Sequence, residues 1–99
     1  LPLLANLLAE EAVQGTFFTT GDVARRFPDA VEALVRDGHE LGCHGDTHRR
    51  FDELCPDEAA MELRAATQTL RAFAPVASFR APNLAFPVRY LPLLEELGY

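Results

Sequence analysis

The apolar positions change period along the chain, and each change marks an element. Leu3, Leu4, Leu7 and Leu8 recur at i, i+1, i+4 and i+5, which predicts an amphipathic helix over residues 1 to about 12, ending as Glu10 and Glu11 turn polar. Residues 13–21, VQGTFFTTG, are rich in Val, Thr and Phe and close on Gly21, the pattern of a buried strand. Phe27, Val31, Leu34 and Val35 form one face of a helix within residues 22–38. Pro28, lacking an amide hydrogen, suits the first turn of its main part, and Gly38 suits the position just past its end. HELGCH, residues 39–44, alternates Leu41 and Cys43 and reads as a second strand. Residues 52–73 carry the strongest helical pattern, with Ala59, Leu63, Ala66, Leu70 and Phe73 as its inner stripe. Pro56 can take its first turn, Asp57 and Glu58 complement its positive end, and Pro75 follows as a stop. VASFRAPN, residues 76–83, reads as a third strand ended by Pro82, and residues 88–99 as a last helix stopped by Gly98.

Strands alternating with helices of this length predict an α/β fold of parallel βα units with right-handed crossovers. Three strands make a thin sheet with two bare edges, whereas parallel strands want cover on both faces. Residues 1–99 are therefore expected to be a single partial domain, the middle of a larger open sheet or barrel, and self-association of the piece is a further expectation. The opening LPLLANLLAEE has no initiator Met, no basic segment and no cleavage site, so it reads as a helix cut from a longer protein rather than a signal peptide. Cytoplasmic and secreted locations both remain open.

Composition narrows the partners. A hydrophobic content of 48% is that of a folded chain. The net charge of −6 argues against a nucleic-acid partner, and Arg49–Arg50 reads as a solvated loop. No apolar run approaches the roughly 20 residues of a membrane span. Cys43 and Cys55 read as two buried or half-buried thiols rather than a disulfide framework.

The chemistry concentrates in HELGCHGDTHRR, which holds all three histidines of the chain. In parallel α/β folds, functional groups gather at the C-terminal ends of strands. His44 stands at one such end and Arg80 at the next, so both should face one mouth. His44 and His48 lie four apart, and a helical turn between them would let both imidazoles reach one cation. The zincin pattern H-E-x-x-H does not apply, because position 45 is Gly where that pattern has its Glu. Spacing alone leaves a metal pair and a hydrogen-bonded pair both open, and a third ligand is missing. His39, at the opposite strand end, reads as a capping or surface residue. Asp46 reads as a loop carboxylate bonding backbone amides, Asp22 as an N-cap, and Phe17, Phe18, Phe79 and Phe86 as packing, with Phe86 the best exception.

Three stretches in order, GTFFTTG, DGHELGCHGDTH and FRAPN, resemble the polysaccharide deacetylase family (NodB homology, carbohydrate esterase family 4), with matches running from about Val13 to Tyr99. The resemblance implies a distorted (β/α) barrel with fewer than eight units. It implies that His44 and His48 are the two histidine ligands of a divalent metal, with zinc first and Co, Ni, Mn or Fe as alternatives. It implies that Arg80 orients the family's catalytic carboxylate and that Pro82 belongs to the same motif, with Pro82, Asn83 and Phe86 near the substrate. Two departures stand out: Gly45 replaces a Ser or Thr, and Asn83 replaces an aromatic. The family's aspartate pair and its late histidine acid have no counterpart in these residues. The implied parent activity is metal-assisted removal of acetyl groups from carbohydrate or a related amide substrate, and the piece alone is expected to be inactive. The alternatives are a metal-free hydrolase of cyclic amides on the same fold, and a non-catalytic relative that binds carbohydrate or a partner.

Overall fold

A computed structural model describes residues 2–99. Its elements are helix α1 (Pro2–Glu10), strand β1 (Thr16–Thr19), helices α2 (Gly21–Arg26) and α3 (Pro28–Arg36), strand β2 (Glu40–Cys43), helix α4 (Pro56–Arg71) and helix α5 (Leu91–Glu96). Short 3-10 turns lie at Phe51–Glu53, Pro82–Leu84 and Val88–Tyr90. The two strands are parallel, in the register Thr16↔Glu40, Phe17↔Leu41, Phe18↔Gly42 and Thr19↔Cys43. Parallel neighbours need a crossover, which α2 and α3 supply. The fold is thus α/β with parallel strands. The sheet is open and has two strands among the described residues, so no closed barrel is present there.

Several elements differ from the pattern-based expectation. The third strand is not formed: residues 76–83 meet β2 through one bridge, Cys43↔Phe79. Cys43 N–H donates to Ser78 O at 2.8 Å and Arg80 N–H donates to Cys43 O at 2.9 Å. Pro82 then starts a 3-10 turn, which takes the chain away from the sheet. The second helix is broken in two at Phe27, whose backbone leaves helical geometry (φ −129°, ψ 58°) ahead of Pro28. Phe27 itself is exposed while Val31 and Leu34 are buried. Thr20, not Asp22, caps α2: its Oγ1 accepts the Val23 N–H at 3.2 Å, and Asp22 instead pairs with Arg26 at 3.3 Å. The leucine stripe of α1 is largely uncovered: Leu3, Leu4 and Leu7 are exposed, Leu3 at 86%, and Leu8 alone is half-buried, near Gly15. The last helix is shorter than expected, with a 3-10 turn at Val88–Tyr90 ahead of α5.

Two apolar clusters hold the fold. One joins Ala24, Val31, Leu41, Cys43, Ala66, Leu70 and Val76, so α2–α3, β2 and α4 share it. The other joins Phe51, Leu54, Ala59, Leu63 and Tyr90 and seats the chain after α4. Phe79 packs against both, and the Tyr90 hydroxyl donates to Leu54 O at 2.6 Å. Each fully buried leucine contributes about 1.5–3 kcal/mol, so α4, carrying Leu63 and Leu70, is the spine of the structure. Among the described residues, no helix is long and apolar enough to cross a membrane.

Candidate functional site

The site grows out of the end of β2. His44 follows the last strand residue, Cys43, and its N–H donates to Thr19 O at 3.0 Å, continuing the β1–β2 ladder by one rung. Its Nδ1 lies 2.7 Å from the main-chain carbonyl of Arg80. A carbonyl oxygen can only accept, so Nδ1 carries the hydrogen. In the neutral ring this leaves Nε2 with the free lone pair.

The next residues bend rather than form a helical turn. Gly45 has φ +78° and His48 has φ +63°. Left-handed geometry suits glycine at position 45, and it replaces the helical turn that spacing suggested between the two histidines. The outcome is still a pair: the His44 and His48 rings stand 4.8 Å apart between centroids, inclined by 57°. His44 is half-buried and His48 exposed.

Two elements, α2 and α4, pin this loop. The N–H groups of Gly21 and Asp22, at the start of α2, donate to the carbonyls of Gly45 (3.0 Å) and Asp46 (2.9 Å). The sequence suggested that the Asp46 carboxylate bonds backbone amides; among the described residues it instead meets Arg25, which grips both its oxygens at 2.8 and 2.9 Å. That bond to Asp46 raises the Arg25 guanidinium above its ordinary pKa. Glu62 of α4 reaches the loop from below and accepts the N–H groups of Asp46 and Thr47. Pattern reading missed Glu62. The signal was present: Glu62 lies three residues after Ala59, beside Leu63 and four before Ala66, on the inward side of the stripe.

Arg80 is exposed, with its guanidinium carbon 4.6 Å from the centroid of the Phe18 ring. Among the described residues it makes no ion pair. Pro82 is fully buried and would lie 3.7 Å from a Cβ built on Gly45, so its ring supports the histidine loop from beneath. Asn83 is exposed in left-handed geometry (φ 55°). Phe86 sits within an aromatic cluster, its ring centroid 5.2 Å from that of Phe51 and 5.3 Å from that of Phe79. His44 and Arg80 line an open groove of ≈ 700 Å³ together with Phe17, Phe18, Val23 and Phe27.

His39 is apart from the site but is not a surface residue. It is 7% exposed, its Nδ1 accepts the Gly15 N–H at 3.0 Å, and its ring meets Phe17 edge-on at 5.2 Å. Of the two free thiols, Cys43 is buried and Cys55 is exposed, which corrects the expectation for the second. Burial pushes the Cys43 thiol up. Among the described residues, no group of three or more His, Cys, Asp or Glu side chains is placed to hold a metal. Among the described residues, the donors at this loop are the two imidazoles. Their chemistry fits a borderline cation such as zinc, and the Nδ1–carbonyl bond of His44 is the outer support that ligand histidines ordinarily have.

Comparison with known proteins gives the lineage. The sequence profile of the polysaccharide deacetylases matches residues 1–99. A chitooligosaccharide deacetylase of Bradyrhizobium sp. (strain ANU 289) is 30% identical over 84 residues, covering 82% of this chain and 38% of its own length. A protein of the polysaccharide deacetylase type from Mycobacterium smegmatis superposes with a TM-score of 0.89 at 32% identity, over 99% of this chain and 35% of its own. A CE4 family pseudoenzyme from Bacillus anthracis superposes with a TM-score of 0.92 at 22% identity, over 98% of this chain and 35% of its own, a likeness of fold. The chain spans 37–48% of the length of the first curated relatives it matches. With its whole length matched by the family profile, the chain belongs to the polysaccharide deacetylase family.

Proposed function

We propose that the chain forms part of a site for acetylated carbohydrate or a related amide, in which His44 and His48 hold a divalent cation, zinc first. The observation that supports this most directly is the ring pair, 4.8 Å apart, with Nδ1 of His44 already engaged by the Arg80 carbonyl. A cation bound there would supply a Lewis acid that activates water and polarises an acetyl carbonyl. The chain's own residues do the positioning. The Arg80 carbonyl sets the His44 tautomer, Arg25 and Glu62 hold the loop, and the Arg80 side chain over Phe18 keeps a cationic donor in the groove that His44 also lines. Its role toward a catalytic carboxylate belongs to this proposal.

Hydrolysis also asks for a group that takes a proton and one that returns it. No carboxylate joins the two histidines among the described residues, which favours the binding reading for these 99 residues by themselves. On that reading the chain holds metal and carbohydrate without turning substrate over. Deacetylase activity, as in the chitooligosaccharide deacetylases among its relatives, would require further ligand and proton-transfer groups. The test is incubation of the purified 99-residue chain with acetylated chitooligosaccharide and added zinc, following released acetate. No release above the metal-only control is expected; measurable zinc-dependent release lost in His44→Ala would overturn the binding reading in favour of catalysis by this chain.

A further inference from the structure

Glu62 lies on the inward face of α4 and is 7% exposed. Its Oε2 accepts the consecutive N–H groups of Asp46 (3.0 Å) and Thr47 (3.1 Å), and its Oε1 accepts the Thr47 hydroxyl at 2.5 Å. Successive N–H groups converge on one oxygen because the chain turns at Gly45 (φ +78°), forming a concave array of main-chain donors that attracts an anion. Here the chain supplies its own anion. On the other side, the Gly45 and Asp46 carbonyls are taken by the start of α2. The loop leaves this clamp straight into His48, whose φ of +63° is unfavourable for a side chain with a Cβ and persists only where the surroundings over-determine it.

We propose that Glu62 is a positioning residue: by holding the Asp46 and Thr47 amides it sets the left-handed turn at His48 and so the approach of that ring to His44. The zinc readout below rests on the reading of the pair as a metal-holding site; the geometric readouts do not.

The experiment compares the 99-residue chain with Glu62→Ala, Glu62→Gln and Leu63→Ala. It measures contacts between the two imidazole rings by NMR and amide exchange at Asp46 and Thr47, both without metal. It then measures zinc affinity by competition with a chelating dye. Glu62→Ala is expected to lose the ring contacts and the amide protection and to weaken zinc binding by about 10- to 100-fold. Glu62→Gln keeps an acceptor oxygen for the amides and should retain the contacts, with an affinity loss under about 10-fold. Leu63→Ala, which leaves a cavity under the same helix, should lower the urea midpoint at least as far as Glu62→Ala yet leave ring contacts and zinc affinity unchanged. If Glu62→Ala does not fold, Glu62→Asp, which withdraws the carboxylate by one methylene, takes its place with the same expectation. Ring contacts that survive in Glu62→Ala, or that fail equally in Leu63→Ala, would overturn the proposal. If the unmodified chain binds no zinc, the metal reading fails, while ring contacts and exchange still decide the role of Glu62.

Discussion

Nδ1 of His44 and the main-chain carbonyl of Arg80 lie 2.7 Å apart, joining the end of β2 to the segment that follows α4. Because the acceptor is backbone, the bond does not depend on the arginine side chain. Nitrogen-15 NMR of the neutral His44 ring should therefore show the Nδ1–H tautomer, both in the unmodified chain and in Arg80→Ala. The same substitution removes the guanidinium from Phe18, at a cost of about 0.5–1 kcal/mol in urea unfolding. An Nε2–H tautomer would contradict the placement of His44.

The grip of Arg25 on Asp46 predicts a larger effect than an ordinary surface pair. The bond is two-pronged, Asp46 has a side chain only 13% exposed, and Arg25 also donates to Thr69 at 2.9 Å. Arg25→Ala should cost about 1–3 kcal/mol, since it strands a largely buried carboxylate. Arg25→Lys should recover only part of this, lacking the planar fork. Gly21 acts on the same carboxylate: a Cβ there would fall 2.1 Å from Asp46 Oδ1 and 3.2 Å from Ala66 Cα. Gly21→Ala should cost about 1–3 kcal/mol by overpacking, and less than additively with Arg25→Ala. Urea titrations of the three single variants and of the Arg25→Ala/Gly21→Ala double mutant check these values.

The start of α4 predicts a response to acid. The Glu58 carboxylate is held below its ordinary range, first by the Cys55 N–H that donates to it at 3.0 Å. A carboxylate whose pKa falls on folding adds stability above its unfolded value and loses it as pH drops through the depressed folded value. Glu58→Gln should therefore flatten the acid limb of the stability–pH curve while changing stability least at the lowest pH. Cys55→Ser places a better acceptor at the N-cap and should stabilise the chain by about 0.5–1 kcal/mol. Thermal unfolding across an acid series measures both.

What the sequence revealed follows from which signals are local. The helical stripe through Ala59, Leu63, Ala66 and Leu70 was legible because its period repeats over several turns, and all four residues are buried. The α/β order was legible from alternation alone. Residues 76–83 were misread as a full strand because strand propensity does not report how many partners a segment finds; beside β2 it finds one rung. The leucines of α1 carry the right period, yet none of the four is fully buried, because period does not report what an element packs against. At the site, the proximity of His44 and His48 was legible from their spacing, but not its cause. The turn comes from Gly45 and a left-handed His48, pinned by Arg25 and Glu62, which stand 23 residues before and 14 after His48. Such contacts join distant parts of the chain and leave no periodic trace.

The proposed site requires that His44 and His48 together hold a divalent cation. Calorimetric titration of the metal-free 99-residue chain with zinc tests it most directly. One zinc per chain is expected, with binding abolished in His44→Ala and in His48→Ala and unchanged in His39→Ala when each variant is folded. No saturable binding, or binding that survives loss of either His44 or His48, would contradict it.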